Sequence, residues 1–311
     1  MHQLHQLRRM AHPAPSPIYC LRGAGAPLNT LHFCCRGTDT PLLFSGSAKG
    51  MIHMWNLNSR RPEKSFEAHG GSSILWVRRL QSKDALISQG RDMQCSLIET
   101  DQTKSLLAFA TQQSEEIKIV EIPSKTTVCT LVPEAKLGMV MCLKLWQPDS
   151  GPGPLLLAGY EDGSLLLWDV TQRSKLSQVK AHPEPVMCLT FDPQRLRGIS
   201  GSAETKLSSW ILDSQNNIQL QECVKLVNPG VSQLCIRADG KLLASAGWDH
   251  RVRIFGWKKL QPLAVLQYHS DMVLSVAFSD HLDPRQRLLA AGSKDQRISL
   301  WSIYNEGAAT G

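Results

Sequence analysis

The chain has 311 residues, of which 42% are hydrophobic and 20% are charged, a composition typical of globular proteins. This length can bury a substantial core, in two average domains or in one large all-β domain. No apolar run reaches the roughly 18–20 residues that a membrane-spanning helix needs, so no membrane association is expected. The formal net charge of +7 would suit nucleic acid, but the basic residues are dispersed in pairs, so a solvated basic surface is the better interpretation.

Residues 1–16 contain no acidic residue, as in a transit peptide, but Pro13 and Pro15 disfavour an amphipathic helix. We therefore predict a disordered tail over 1–16. The segment 17–22 (PIYCLR) is typical of a strand, and it stands before the first full repeat. A second disordered tail is predicted over 305–311, which leaves 17–304 as a single domain.

Six segments of the chain share one pattern, in which an apolar strand is followed by a Gly/Ser step, a polar turn, alternating residues and usually an aromatic residue. They cover 43–55, 86–98, 156–168, 198–210, 243–255 and 289–301. The pattern predicts a β-hairpin whose turn carries residues that cap the backbone or tolerate unusual dihedral angles. Six such segments in phase resemble the WD-repeat family, and this resemblance implies an all-β fold, a WD-repeat β-propeller.

In that family each blade is locked by a hydrogen-bonded set: a His before the first strand, a hydroxyl in the second strand, a turn acid and a third-strand Trp. Four residues, His182, Ser200, Glu204 and Trp210, match it best, with Glu in place of Asp. The last repeat has Ala291 at the hydroxyl position. The other matching residues are His69, Ser88, Asp92, Trp55, Asp162, Trp168, Ser245, Asp249, Phe255, His269, Asp295 and Trp301. The resemblance assigns all of them a structural role.

The spacing of the third-strand positions bears on the number of blades. These positions are 55, 98, 168, 210, 255 and 301, and the interval of 70 residues after Ile98 is too long for one repeat and too short for two. We predict seven blades with a truncated third blade over 99–134; six blades with a long inserted hairpin is the alternative. The last repeat ends almost at Trp301, so strand 17–22 is expected to close the propeller by pairing there.

No motif for phosphate-loop, dinucleotide or zinc-protease chemistry occurs, and no nucleophile–base pair is recognisable. Three of the ten histidines lie in the tail, and three others (His69, His182 and His269) occupy the repeat's His position. We therefore expect neither catalytic residues nor a metal or cofactor. The nine cysteines include no Cys-x-x-Cys pair, which favours a reducing compartment: we expect the protein in the cytoplasm, with the nucleus as a second location.

The residue just before each turn acid is expected to project from one face of the propeller toward a partner. These residues are Arg91, Glu161, Ala203, Trp248 and Lys294. Trp248 is the strongest candidate, because an exposed Trp is typical of an interface hot spot. The alternative is that Trp248 packs on a neighbouring blade.

Residues 155–164, 244–250 and 288–301, with 123–126 and 261–266, resemble a G-protein-beta-like branch of the WD-repeat family that is related to a fungal ASTRA-complex component. The likeness is close over 135–304 and fails around 99–115, where this chain looks shortened. It implies an adaptor in chaperone-assisted maturation of phosphatidylinositol 3-kinase-related kinases, and so in DNA-damage signalling. No G-protein gamma partner is expected, because only about 17 residues precede the first strand, too few for a coiled coil. The alternatives are a substrate receptor of a ubiquitin ligase and a reader of histone tails or nucleic acid.

Overall fold

A computed structural model describes residues 15–34, 41–80, 85–90, 95–100, 104–113, 115–149, 151 and 153–305. These residues contain β-strands and one turn of 3₁₀ helix at Pro284–Gln286. Within the same ranges no helix has the length and apolar character needed to cross a membrane. Most of the tail predicted over 1–16 lies outside the described residues, as do residues 306–311 of the second predicted tail.

The strands form six four-stranded antiparallel blades and one two-stranded sheet, called the short sheet. Each blade is named by a residue of its third strand. In chain order the strands are β1 (Tyr19–Leu21); β2 (Leu28–Cys34), β3 (Leu42–Ser47), β4 (Met51–Asn56) and β5 (Arg61–Glu67) of the Trp55 blade; β6 (Ile74–Leu80) and β7 (Ala85–Gly90) of the short sheet; β8 (Cys95–Glu99), β9 (Ser105–Ala110), β10 (Ile117–Ile122) and β11 (Thr127–Leu131) of the Glu121 blade; β12 (Val140–Trp146), β13 (Leu155–Tyr160), β14 (Ser164–Asp169) and β15 (Ser174–Lys180) of the Trp168 blade; β16 (Val186–Asp192), β17 (Arg197–Ser202), β18 (Lys206–Leu212) and β19 (Ile218–Lys225) of the Trp210 blade; β20 (Val231–Ile236), β21 (Leu242–Gly247), β22 (Arg251–Gly256) and β23 (Pro262–Gln267) of the Phe255 blade; and β24 (Val273–Phe278), β25 (Leu289–Ser293) and β26 (Ile298–Trp301), which form the Trp301 blade together with β1.

Burial along a blade explains the composition of its strands. The middle strands β13 and β14 of the Trp168 blade are buried at every position, and they are almost continuously apolar. The outer strand β5 of the Trp55 blade is exposed at every position and reads Arg-Pro-Glu-Lys-Ser-Phe-Glu. Middle strands are covered on both faces by the neighbouring blades, whereas the outer strand faces water. The hydrophobic core therefore lies between blades, in clusters that combine residues of adjacent sheets.

The prediction of an all-β fold is confirmed, but the predicted truncated third blade is wrong. Residues 86–98 do not form one hairpin, because β7 belongs to the short sheet and β8 is an end strand of the Glu121 blade. The region 99–134 supplies the other three strands of that complete blade. In it Glu121 pairs with Leu106 at the position where other blades have Trp or Phe. Without that aromatic residue, the spacing pattern placed the third strand at Ile98.

Within the described residues, the short sheet contains no strand besides β6 and β7. Between Trp55 and Glu121 the chain holds about one and a half WD repeats of roughly 40–45 residues each. The shortened repeat is therefore the one before the Glu121 blade.

The two ends of the described chain meet in the Trp301 blade. β1 pairs antiparallel with β26, with Tyr19 opposite Leu300 and Leu21 opposite Ile298. The Ile18 amide adds a hydrogen bond of 2.8 Å to the Leu300 carbonyl. Leu21 is fully buried in a cluster shared by the Trp301 and Trp55 blades. This small strand is therefore held by core packing as well as by backbone pairing.

Candidate functional site

The blade network that matches the predicted residues most closely lies at one end of the Trp210 blade. His182 precedes β16 and is buried, with Nδ1 2.7 Å from Glu204 Oε1 and Nε2 2.9 Å from Ser200 Oγ. Burial lowers the pKa of His182, although the contact with Glu204 opposes this shift. A neutral imidazole fits these contacts, since its Nδ1–H can donate to the carboxylate while Nε2 accepts from the serine hydroxyl. The three side chains join the turn, the second strand and the loop before the first strand.

Trp210 does not take part in this hydrogen-bonded network, contrary to the prediction. Its indole Nε1 is buried and has no hydrogen-bond partner among the described residues. The ring instead stacks on Phe191, with centroids 5.6 Å apart and planes inclined by 9°. It also covers Gly198 so closely that a Cβ there would clash with the ring. Trp210 therefore contributes packing between strands, and not a polar contact.

The Trp301 blade keeps a full network by a substitution that the sequence pattern missed. His269 Nδ1 lies 2.9 Å from Asp295 Oδ2, and its Nε2 lies 2.8 Å from Ser299 Oγ. The same Ser299 hydroxyl accepts a hydrogen bond of 2.8 Å from Trp301 Nε1. Ser299 pairs directly with Ala291 across the sheet, so the hydroxyl lost from β25 is supplied by β26. The signal was a serine two residues before Trp301.

The Phe255 blade replaces the histidine by charged and amide groups. Arg253 binds both carboxylate oxygens of Asp249, at 3.0 and 2.6 Å, and Asn228 Nδ2 donates to the same carboxylate at 2.8 Å. Although burial would raise the pKa of Asp249, these contacts hold it below its usual range. Ser245 pairs with Arg253, and its hydroxyl has no partner among the described residues. Phe255 is buried and apolar, so it adds no hydrogen bond to the network. The turn of this blade is instead joined to the sheet by the ion pair between Asp249 and Arg253.

The remaining predicted blade residues form smaller sets. Trp55 Nε1 donates to Ser45 Oγ at 2.9 Å. His69 Nε2 lies 2.9 Å from Ser88 Oγ, while Asp92, the third predicted member of that set, lies outside the described residues. Each of these sets contains one short contact between side chains from separate strands or loops.

In the Trp168 blade, Asp162 caps its turn. It accepts bonds of 2.8 Å from both the amide and the hydroxyl of Ser164. Trp168 is buried in the core beside Tyr160. In this blade the turn acid therefore binds its own turn.

The candidate partner residues differ in exposure. Lys294 and Glu161 are exposed, and Glu161 accepts a hydrogen bond of 3.0 Å from the Met139 amide. Ala203 is half-buried, and Arg91 lies outside the described residues. The exposed candidates among the described residues thus carry one negative and one positive charge.

Trp248 is half-buried and lies over Gly230, in the loop that enters its own blade. Gly230 has φ +88°, and any Cβ there would occupy the space of the indole. The Trp248 amide donates to the Gly230 carbonyl at 3.1 Å, and the Gly230 amide donates to the Glu204 carbonyl of the preceding blade at 3.2 Å. One side of the indole is therefore fixed by the inter-blade loop while the side chain keeps part of its surface in water.

Among the described residues, no group of three or more His, Cys, Asp and Glu side chains is arranged to hold a metal ion.

The model of the family "WD domain, G-beta repeat" matches residues 221–256 and 260–302. Together with the four-stranded blades and their polar networks, this match defines the class of the protein as a WD-repeat β-propeller. The predicted WD-repeat resemblance is thus confirmed.

Guanine nucleotide-binding protein subunit beta-like protein 1 of Mus musculus is 45% identical over 322 residues, which cover 94% of this chain and 97% of the mouse protein. The chain belongs to the family of that protein. More distant relatives are ASTRA-associated protein 1 of Schizosaccharomyces japonicus, at 29% identity, and of Schizosaccharomyces pombe, at 28%. Each alignment covers 93% of this chain and 99% of the fungal protein.

Proposed function

We propose that this chain is a non-catalytic protein-interaction scaffold. It would support chaperone-assisted maturation and stability of phosphatidylinositol 3-kinase-related kinases, and through them DNA-damage signalling. The observation that carries the proposal is the alignment, over 93% of this chain, with fungal proteins named for their association with ASTRA. The blade architecture supports the scaffold role, because it holds exposed turn residues on a closely packed core.

Trp248 is the residue proposed to anchor a partner. Gly230 and the backbone hydrogen bond to it hold the Trp248 loop in place, so binding would require little additional ordering of this residue. Large aromatic side chains that are ordered before binding are typical of interface hot spots. Glu161 and Lys294, both exposed, would provide charged contacts at other turns of the same type.

Affinity purification of the tagged chain from cells, followed by mass spectrometry, tests both proposals. We expect the wild type to recover kinase-maturation cochaperones and the kinases themselves, and Trp248→Ala to recover them at least about tenfold less. Phe66→Ala is the control, because Phe66 is also a large aromatic residue, 41% exposed, and lies on the outer strand β5 of another blade. Ubiquitin-ligase subunits, or histones and nucleic acid bound in a steeply salt-sensitive manner, would instead favour the other two functions.

The same proposal includes the location of the protein, the number of its blades and the exclusion of one class of partner. We place the protein in the cytoplasm and also in the nucleus, consistent with free cysteines of which Cys129, Cys142 and Cys188 are buried. We also treat the short sheet as a seventh blade of a ring closed by β1. A G-protein gamma subunit is not among the proposed partners, and its co-elution with this chain in gel filtration would contradict that.

A further inference from the structure

The innermost strands of all seven sheets line one central cavity of about 770 Å³. The second strands of the seven sheets can be aligned with one another, and one aligned position pairs with a single residue of the innermost strand in each sheet. The seven innermost-strand residues at this position form a layer across the cavity. They are His32, Arg78, Leu97, Lys144, Thr190, Cys235 and Ala277. All seven line the cavity. This layer is called the channel ring.

The channel ring contains two cations and no acid. Arg78 and Lys144 are both half-buried, and neither forms a salt bridge with a carboxylate among the described residues. Arg78 is oriented by its neighbours, since Nη1 donates to the Val77 carbonyl at 3.0 Å and the guanidinium lies 5.4 Å from the centre of the Trp76 ring. No other hydrogen bond engages its N–H groups in the described part of the chain, which leaves them available for a ligand.

The electrostatics of the ring favour an anion. Burial lowers the pKa of Lys144, and the nearby positive charge of Arg78 lowers it further. Burial also lowers the pKa of His32 to about 3, with further contributions from Arg78 and Arg79, so that this imidazole is neutral at physiological pH. Two like charges close together in a partly dehydrated site repel each other, and a bound anion would relieve that repulsion.

The acidic residues that line the same cavity do not neutralise the ring. Asp149 and Asp280 are exposed, beyond the ends of β12 and β24. Asp192 already accepts from Arg195 at 2.8 Å and from the Trp257 indole at 2.8 Å. The ring is therefore a positively charged layer inside a cavity whose acids lie elsewhere.

We propose that the channel ring binds a small anion that carries phosphate groups, with Arg78 and Lys144 as its cationic ligands. A guanidinium offers paired donors that match phosphate oxygens, and an ammonium adds a compact charge. The neutral His32 imidazole and the Thr190 hydroxyl add uncharged donors in the same layer. The position of the ring inside the cavity suits a free small molecule, and the volume falls in the range of known small-ligand pockets.

Isothermal titration of the full chain with inorganic pyrophosphate in low-salt buffer tests this site. The wild type should bind with a stoichiometry of one, and Lys144→Met should weaken binding at least tenfold, whereas Lys144→Arg should retain it. Lys225→Met is the matched control, because Lys225 is exposed on the outer strand β19. Should Lys144→Met fail to fold, Arg78→Gln replaces it with the same expectation.

Thermal unfolding without added anion separates a binding role from a structural one. Since Lys144 lacks a partner among the described residues, Lys144→Met should melt at the same temperature as the wild type or higher. Pyrophosphate should raise the melting temperature of the wild type and of Lys225→Met by more than that of Lys144→Met. The proposal is overturned by an absence of wild-type binding at millimolar pyrophosphate. Equal weakening by Lys225→Met, or a lower melting temperature for Lys144→Met, would also overturn it.

Discussion

Ser299 holds two buried polar groups at once, the imidazole of His269 and the indole N–H of Trp301. It stands opposite Ala291, so the hydroxyl has moved to the facing strand while the network keeps its geometry. Arg253 stands at the corresponding position of the Phe255 blade, opposite Ser245, and there it makes an ion pair. In these two blades, one register position thus decides how the turn is joined to the sheet.

Replacement of Ser299 by alanine should leave both His269 Nε2 and Trp301 Nε1 without their buried partner. We expect Ser299→Ala to lower the free energy of unfolding by about 1–3 kcal/mol, measured by urea denaturation at pH 7. Ser209→Ala is the control, because Ser209 is equally buried on β18 and its hydroxyl has no partner among the described residues. Equal losses for the two variants would contradict a role for the hydrogen bonds.

His32 should make the stability of the protein sensitive to acid. Its pKa is about 3 in the folded chain against an ordinary value of 6.5, chiefly because of burial. The unfolded chain therefore takes up a proton first, so stability is full above about pH 6.5 and falls as the pH drops toward 3. For this residue we expect an unfolding free energy about 2 kcal/mol lower at pH 5 than at pH 7.

Urea denaturation at pH 7 and pH 5 measures that difference. His32→Gln should lose less stability between the two pH values than the wild type does, by about 2 kcal/mol. His250→Asn is the control, since His250 is exposed at a turn with φ +68° that asparagine tolerates. An unchanged pH dependence in His32→Gln would show that His32 titrates normally.

At the scale of elements, the short sheet departs from the pattern of the other blades. β7 pairs with β6 and, within the described residues, with no strand on its other side. In a complete blade such as the Trp168 blade, the equivalent strand β13 pairs on both sides. Its residues are also less buried than those of β13. A strand with one free edge has unprotected backbone groups along that edge.

Hydrogen–deuterium exchange should reveal this difference. We expect the amides of residues 85–90 to exchange at least about tenfold faster than those of 155–160, because local opening of a one-sided strand breaks fewer contacts. Mass spectrometry of peptides from the native protein at pH 7 measures both segments in one experiment. Equal protection would indicate that β7 is covered by another part of the chain.

For the whole molecule, the pairing of β1 with β26 joins the first and last strands. Only three residues form β1, yet Leu21 is fully buried between the Trp301 and Trp55 blades. A further contact joins these blades at their inner strands, where the Leu31 amide donates to Ser275 Oγ at 2.9 Å. The stability of the fold should therefore depend on this junction.

Shortening the Leu21 side chain tests how far the stability of the protein depends on this junction. Leu21→Ala should lower the free energy of unfolding by about 2–5 kcal/mol, because it leaves a cavity in the core between two blades. Ile18→Ala, close by in sequence but 50% exposed, should change it by no more than about 0.5 kcal/mol. Chemical denaturation measures both, and a small loss in Leu21→Ala would show that the blades hold together without β1.

The sequence by itself determined five of the six predicted hairpins and the all-β class, because alternation, turn residues and aromatic positions are local signals that recur with the repeat. It also identified His182, Ser200 and Glu204, which the fold brings into direct contact. Only the tertiary structure decided which strands share a sheet: β7 and β8 are close in sequence yet belong to different sheets. Strand pairing is a long-range choice, and an apolar run such as that of β8 suits more than one strand of a blade.

The same reason explains the residues that the sequence pattern missed. Ser299 and Arg253 reach their partners because strand register places them opposite Ala291 and Ser245. The channel ring forms only when seven separate strands line one cavity. Arg78 and Lys144 are far apart in the chain, and they share an environment because the innermost strands of their sheets line the same cavity. Local patterns determine what each strand is, whereas packing of the blades decides which side chains meet.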